Sequence, residues 1–170
     1  PKEAGLERIR DLDVLSTIPE MLALQVEKRP DAVGWKSWDP VKKSWRDWTF
    51  RQGYDEVQRW RHAFAGLGLT RGTRVAMLLP NCIEAVLFDQ ANALTPVPLH
   101  AIDTPKSSAY ILNDSGAEVL VTNKKLKWRL VREAAELPNL KLVVITDDDF
   151  ADDPDADIPM LSLETWLAKT

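Results

Sequence analysis

Short apolar runs alternate with longer helical patterns through the middle of the chain. The runs occupy residues 74–79, 95–99, 118–122 and 140–146. Between them, apolar positions recur every three or four residues over roughly ten to fifteen residues, the spacing of a helix with one buried face. Strands that alternate with such helices are typical of a covered parallel sheet. We therefore predict an α/β fold with an open, mostly parallel sheet of four strands and helices on both faces.

Capping residues mark the ends of two of these helices. Asn81 follows the first apolar run, and Glu84 stands three residues later, a pair that predicts a helix N-terminus. Thr104-Pro105 predicts the start of another helix, because proline at the first helical position loses no hydrogen bond. Gly116 predicts the end of that helix. The sequence therefore predicts a strand-loop-helix unit at each of these places.

The remaining elements of the α/β region are less regular. Pro96 and Pro98 lie within one apolar run, and backbone hydrogen bonding alone restricts such a run to an edge strand or an irregular one. We expect a helix from Lys124 to Leu137 after the next strand. Residues 162–169 are expected to form one final helical segment.

The N-terminal part of the chain has its own pattern. Thr17 and Glu20 form a capping-box pattern before an amphipathic helix. Two candidate strands follow, at 32–38 and 44–50, and the residues between them favour a turn. Thr49 is expected to cap the next helix. Four of the chain's seven tryptophans lie in these strands, which predicts a β-hairpin stiffened by cross-strand aromatic packing: Trp35, Trp38, Trp45 and Trp48.

Composition excludes several classes of protein. Hydrophobic residues make up 45% of the chain and charged residues 28%, as in ordinary globular proteins. No apolar run approaches the ~18 residues that span a bilayer, and residues 1–5 lack the apolar core of a signal peptide. The single cysteine, Cys82, excludes an internal disulfide. We therefore expect a cytoplasmic protein, in which Cys82 serves as a small hydrophobic side chain.

Charge is distributed unevenly. The net charge is -4, but seven aspartates lie within residues 147–157, and the rest of the chain holds 22 basic and 19 acidic residues. So small an excess gives no reason to expect nucleic acid as a partner. We expect the aspartate-rich segment to be a poorly ordered loop, because like charges repel one another.

Several segments superficially resemble ligand-binding motifs but do not match them in spacing or order. Gly66, Gly68 and Gly72 follow a helix and precede a strand, the reverse of a dinucleotide-binding turn, and no Walker-type Gly-Lys-Ser or Gly-Lys-Thr occurs. The acidic run matches the carboxylate spacing of an EF-hand, but Ile158 stands where that loop needs glycine. We predict no metal site.

One basic cluster is a better candidate for a site. Lys124, Lys125, Lys127 and Arg129 follow the strand 118–122 and open the next helix. This position lies at the carboxyl edge of the sheet, where open α/β sheets bind ligands, and a helix N-terminus favours anions. A solvated basic helix face is the alternative explanation.

The chain resembles the N-terminal part of AMP-forming (adenylate-forming) ligases, and within them the bacterial long-chain fatty-acyl-CoA synthetases. The resemblance extends over roughly residues 15–145. The segments that carry it are Trp48-Thr49-Phe50, Gly66-Leu67-Gly68-Leu69, Gly72-Thr73-Arg74-Val75-Ala76, Leu79-Pro80-Asn81 and Ala109-Tyr110-Ile111-Leu112-Asn113-Asp114-Ser115-Gly116-Ala117.

This resemblance implies an enzyme that uses ATP and Mg²⁺ to convert a fatty acid to an acyl-adenylate, and then transfers the acyl group to coenzyme A. It also implies that the coenzyme A 3'-phosphate lies near the turn at His100 and the basic residues Lys125, Lys127 and Arg129. Peripheral membrane association is compatible with such an enzyme. The family's Ser/Thr/Gly-rich phosphate loop ending in Pro-Lys does not occur in the 170 residues. Catalytic residues are therefore expected in the remainder of a longer ligase chain.

The resemblance leads to a domain organisation and leaves two alternatives. Residues 1–170 are expected to form a single N-terminal subdomain, inactive alone and without a tightly bound cofactor. Its expected parts are an extension (1–16), an α/β body (17–146), an acidic loop (147–159) and a terminal helical segment (160–170). The alternatives are a non-catalytic interaction module and an unrelated flavodoxin-like or Rossmann-like nucleotide-binding domain.

Overall fold

The computed structural model describes residues 17–39, 42–92, 94–147 and 150–168. The chain forms two compact units, which divide between Gln58 and Arg59. The first unit contains α1 (Ile18–Lys28), β1 (Val33–Asp39), β2 (Ser44–Thr49) and the beginning of α2 (Phe50–Gly66). The second unit contains the rest of α2 followed by β3 (Arg74–Leu78), α3 (Ile83–Ala91), β4 (Thr95–Pro98), α4 (Pro105–Ser115), β5 (Val119–Thr122), α5 (Lys125–Ala134), β6 (Leu142–Ile145), β7 (Met160–Ser162) and α6 (Leu163–Ala168).

The first unit is an antiparallel hairpin with flanking helices, as the sequence predicts. The predicted capping box forms, because Glu20 and Thr17 exchange hydrogen bonds at the start of α1. Thr49 caps α2 as predicted and also exchanges hydrogen bonds with Gln52. Tryptophans face one another across the strands, and the Trp38 and Trp45 rings meet edge to face at 5.6 Å. The turn residues 40 and 41 lie outside the described residues.

The second unit is a five-stranded sheet in the order β4-β3-β5-β6-β7, and every neighbouring pair is parallel. This confirms the predicted α/β class. The proline-rich strand β4 lies at an edge. Thr95 donates its backbone N–H to Thr73, the residue before β3, and Leu99 donates its N–H to Met77 of β3. Pro96 and Pro98 occupy the alternate positions, so their nitrogens lie on the side away from β3.

Helices cover both faces of this sheet. On one face, Ala76, Leu120 and Val143 belong to an apolar cluster shared with α4 and α5. On the other face, the packing is aromatic: the Phe64 ring of α2 lies 5.9 Å from Phe88 of α3 and 4.9 Å from Trp166 of α6. Burial is almost complete on all of β5 and β6, as expected of strands with two covered faces. Among the described residues, no helix is long and apolar enough to cross a membrane.

Three expectations need correction. Cys82, not Asn81, is the N-cap of α3, and its side chain makes no capping hydrogen bond. The helix expected at Lys124 to Leu137 is shorter, because Ala135 already has extended backbone. The sheet has a fifth strand, β7, in a segment expected to be only helical.

The acidic segment also differs from the poorly ordered loop that its charge predicts, although residues 148 and 149 lie outside the described residues. Asp152 accepts a 2.6 Å hydrogen bond from the Ser162 N–H, and Asp153 pairs with Met160 through two backbone hydrogen bonds. Asp157 forms a 2.9 Å ion pair with Arg132. These local contacts of the carboxylates therefore oppose the repulsion among the aspartates and hold β7 against the loop.

Candidate functional site

The order of the strands identifies one edge of the sheet as the place for a ligand. The chain leaves β3 for β4 on one side, then returns past β3 to β5, β6 and β7 on the other. In open α/β sheets this reversal creates a crevice outside the carboxyl ends of the two strands where it occurs, here β3 and β5. The segments that border this edge are 79–82, 99–104 and 123–124.

The turn after β4 is held by its own hydrogen bonds. Leu99 is buried and donates its N–H to the Met77 carbonyl at 2.8 Å. Beyond it, the Asp103 N–H donates to the His100 carbonyl at 3.0 Å, and the His100 N–H donates to the Asp103 carboxylate at 3.3 Å. Thr104 then caps α4 by accepting a hydrogen bond from the Ser107 N–H. The His100 turn therefore has a defined shape while His100 itself stays exposed.

The start of α5 is basic and lacks a side-chain cap. Lys124 is the N-cap residue with extended backbone, its side chain makes no capping hydrogen bond, and the first turn contains no acidic residue. Helices usually place an acceptor or a carboxylate at this position, because the first N–H groups lack partners and the dipole is positive there. Lysine ammonium groups and free N–H groups together suit an anion such as a phosphate.

The structure brings the His100 turn and the basic helix start together. The Lys127 ammonium group donates a 3.4 Å hydrogen bond to the carbonyl of Ala101, which follows His100. Lys125 and Arg129 have other partners: the Lys125 ammonium lies 5.4 Å from the centre of the Phe150 ring, and Arg129 forms a 3.7 Å ion pair with Glu133 one turn later. Lys127 is thus the predicted site residue that joins the two segments.

Two features of this edge were not predicted from the sequence. The Asp147 carboxylate lies 3.7 Å from the Lys124 ammonium, so the start of the acidic loop reaches the basic helix. Asn123, directly after β5, has a buried side-chain oxygen with no hydrogen-bond donor among the described residues. An unpaired buried acceptor is the chemistry expected of a site that receives a polar ligand.

Cys82 borders the same edge but is not reactive. Its pKa is raised to about 12, first by burial, which disfavours the thiolate, and then by a hydrogen bond with the Glu84 side chain. A nucleophilic cysteine needs a lowered pKa. The thiol therefore acts as the small hydrophobic side chain that the sequence predicts.

Within the described ranges, no three His, Cys, Asp or Glu side chains are grouped so that they could hold a metal ion. Asp153, Asp155 and Asp157 are therefore not such a group. Asp157 is instead paired with Arg132, whose pKa is raised by hydrogen bonds to Glu136 and Asp157.

Comparison with known proteins identifies the family of the chain. The model of the AMP-binding enzyme family matches residues 22–165. Crotonobetaine/carnitine–CoA ligase of Salmonella paratyphi A is 30% identical over 113 residues, which are 64% of this chain and 22% of that relative. Phosphinothricin tripeptide synthetase of Streptomyces viridochromogenes is 29% identical over 146 residues, which are 84% of this chain and 11% of that relative.

The chain thus spans about a fifth or less of the length of these relatives. The match nevertheless covers the hairpin and all five strands of the sheet, and it agrees with the family that the sequence motifs resemble. The chain belongs to the AMP-binding enzyme family.

Proposed function

We propose that the chain is the N-terminal subdomain of a ligase that converts a fatty acid to its acyl-CoA thioester. Family membership supports adenylate formation in general. The name of one relative, a CoA ligase, supports coenzyme A as the acyl acceptor. The fatty-acid substrate rests on the resemblance of the motifs to long-chain fatty-acyl-CoA synthetases.

The proposed reaction has two steps. A carboxylate oxygen of the fatty acid attacks the α-phosphorus of ATP, and pyrophosphate leaves; Mg²⁺ offsets the charge of the phosphates. The thiol of coenzyme A then attacks the acyl carbonyl, and AMP leaves. Activation is needed because a carboxylate is a poor electrophile, whereas the adenylate has a good leaving group.

Within this reaction we assign the basic start of α5 to coenzyme A. The observation that carries the assignment is the contact between Lys127 and the Ala101 carbonyl, which unites the His100 turn with the uncapped helix start. Lys125, Lys127 and Arg129 then supply positive charge for the 3'-phosphate. The unpaired Asn123 oxygen is available to a donor group of the same ligand. The ligand would thus satisfy groups that the described residues leave unpaired.

ATP and Mg²⁺ are assigned to the remainder of the ligase chain. This assignment rests on the sequence, which contains no Ser/Thr/Gly-rich loop ending in Pro-Lys. The 170 residues alone are therefore proposed to lack ligase activity and to bind no cofactor tightly. We place the complete enzyme in the cytoplasm, with peripheral membrane association available to it.

The thioesters that the complete enzyme forms test this proposal. The enzyme is incubated with ATP, Mg²⁺, coenzyme A and a panel of carboxylates: saturated fatty acids of increasing length, carnitine and amino acids. Mass spectrometry then identifies the thioesters. We expect acyl-CoA from the fatty acids, with AMP formed in equal amount. Thioesters only from carnitine, or adenylates only from amino acids, would contradict the proposed substrate. No AMP with any carboxylate would favour the non-catalytic interaction module.

A further inference from the structure

The hairpin of the first unit exposes two large aromatic side chains. Trp38 and Trp45 lie directly opposite each other on β1 and β2, and they are 51% and 64% exposed. Their rings meet edge to face, so each holds the other in place while both remain accessible. A single exposed apolar side chain is ordinary, whereas two indoles in contact form a contiguous apolar surface.

The two faces of the hairpin differ in their packing. Residues directly opposite one another on antiparallel strands share a face, and the faces alternate along each strand. Trp35 and Trp48 therefore share one face, and there the Trp35 ring packs against Phe50 of α2 at 5.6 Å. Trp38 and Trp45 lie on the other face. The exposed pair therefore faces away from α2.

Basic residues surround the exposed tryptophans. Residues 36–47 contain four basic and two acidic side chains: Lys36, Lys42, Lys43 and Arg46, against Asp39 and Asp47. Each carboxylate is paired with a lysine, at 2.9 Å between Lys36 and Asp47 and at 3.8 Å between Lys42 and Asp39. The hairpin thus has an excess of two positive charges, although the chain as a whole has a net charge of -4.

This charge pattern favours a lipid surface over a protein partner. Lys36 and Asp47 share a face with the two exposed tryptophans and are exposed themselves. Lysine and aspartate are depleted in the cores of protein interfaces, because burying charges is costly. A bilayer surface does not bury them: indole rings lie at the level of the headgroups, and lysine ammonium groups stay in water. An anionic surface also attracts the excess positive charge.

We propose that the outer face of the hairpin, formed by Lys36, Trp38, Trp45 and Asp47, docks on an anionic lipid surface. The two indole rings enter the headgroup region, and the basic residues of the adjoining turn, 42 and 43, lie near the lipid phosphates. The inference rests on the peripheral membrane association included in the proposed function, and it names the surface and the lipid charge. Docking there would bring the enzyme to a fatty acid dissolved in the bilayer.

Sedimentation of the complete enzyme with lipid vesicles tests the proposal. One set of vesicles contains phosphatidylcholine alone, and the other also contains phosphatidylglycerol, which is anionic. A basic residue near an anionic surface raises the partition coefficient about fivefold. With an excess of two positive charges, we expect roughly 25-fold tighter binding to the anionic vesicles. This preference should shrink as salt is added.

Two variants separate the aromatic and the basic contributions. Replacing Trp38 and Trp45 together by threonine removes both indoles and keeps residues that favour strands. Binding to either kind of vesicle should weaken at least about tenfold. Replacing Lys42 and Lys43 together by glutamine leaves the indoles in place and removes the excess charge. This variant should bind both kinds of vesicle about equally.

Matched controls carry the same kinds of change on the second unit. Tyr110→Thr removes an exposed aromatic side chain of α4, and the double variant Arg71→Gln and Lys106→Gln removes two exposed positive charges. Both controls should bind vesicles as the native enzyme does. Near-UV circular dichroism checks the fold of each variant. If the tryptophan variant does not fold, the lysine variant decides the test.

Three results would overturn the proposal. The first is that the native enzyme binds neither kind of vesicle. The second is vesicle binding that neither hairpin variant weakens, which would place the membrane surface elsewhere. The third is a dimer in solution that the tryptophan variant dissociates, which would assign the face to a second copy. Pyrophosphate exchange by the same preparations tests the ligase function separately, because an enzyme without exchange could still dock through the hairpin.

Discussion

Replacing Lys125, Lys127 and Arg129 together by alanine should weaken coenzyme A binding in the complete enzyme and leave adenylate formation intact. The three side chains differ in setting. Lys127 is half-buried and held at the Ala101 carbonyl, so its charge should contribute near the upper end of the usual range. Lys125 and Arg129 are exposed, and Arg129 is already paired with Glu133.

The expected size follows from these settings. Charge pairs of this kind contribute about 0.2 to 1 kcal/mol each. Taking about 1 kcal/mol for Lys127 and about 0.2 to 0.5 for each of the others gives roughly 1.4 to 2 kcal/mol. This corresponds to a rise of about 10- to 30-fold in KM for coenzyme A at low ionic strength. The rise should shrink near 0.15 M salt, where charges are screened over about 8 Å.

The assay compares two reactions of the same variant. Thioester formation gives KM for coenzyme A, and exchange of labelled pyrophosphate into ATP with fatty acid reports adenylate formation without coenzyme A. The control replaces Arg71 and Lys141 by alanine, which removes two exposed positive charges just before β3 and β6, at the amino edge of the sheet. Loss of exchange in the triple variant would refute the assignment. So would an unchanged KM at low ionic strength, or an equal rise in the control, and either would favour a solvated helix face.

Three further predictions concern the 170-residue chain. ATP with Mg²⁺ should leave the melting temperature of the chain unchanged, whereas a ligand that binds only the native state adds about 2.7 kcal/mol to the free energy of unfolding at a hundred times its Kd. A clear rise in melting temperature would contradict the proposed location of the ATP site. Gly53→Ala should lower the free energy of unfolding by about 1 to 2 kcal/mol in urea titrations, because overlap of the new Cβ with the Trp35 ring outweighs the better helix propensity of alanine. The control Arg51→Ala, at an exposed position of the same helix, should change that free energy by less than about 0.5 kcal/mol. A Gly53→Ala variant more stable than the native chain would show that the Trp35 ring moves freely. Cys82 should react with iodoacetamide more slowly in the native chain than in the unfolded chain, because its pKa is raised to about 12 and only the thiolate reacts. The reaction rate of the native chain should still rise above about pH 10. A midpoint of the rate against pH that lies near the pKa of the unfolded chain would contradict the raised value.

The strands of the sheet could be predicted because each has a local signal. Four apolar runs give four strands, and Pro96 and Pro98 indicate an edge position that β4 occupies. Thr104 and Gly116 give the ends of α4, since both act through neighbouring backbone groups. These features depend on residues close in sequence, so the sequence alone contains them.

Other features depend on contacts that are distant in sequence. The strand β7 has only three residues, and it forms because Met160 to Ser162 pairs with β6 and Asp152 holds the Ser162 N–H. The N-cap of α3 is Cys82, and Asn81, which the sequence predicts to be the cap, lies exposed before it. Neither outcome has a local signal in the residues concerned.

The candidate site shows the same division. The sequence predicts where the basic cluster lies, because residues after a parallel strand meet at the carboxyl edge of the sheet. It cannot predict that Lys127 reaches Ala101, 26 residues earlier, while Arg129 turns to Glu133. That distinction comes from the packing of α5 and makes Lys127 the first residue to substitute singly.

Exchange of labelled pyrophosphate into ATP by the complete gene product, without coenzyme A, tests the central claim most directly. If the chain is part of an adenylate-forming ligase for fatty acids, exchange should require Mg²⁺ and a fatty acid and should proceed when no coenzyme A is present. Absence of exchange with every fatty acid tested, in an enzyme preparation shown to be folded, would contradict the account.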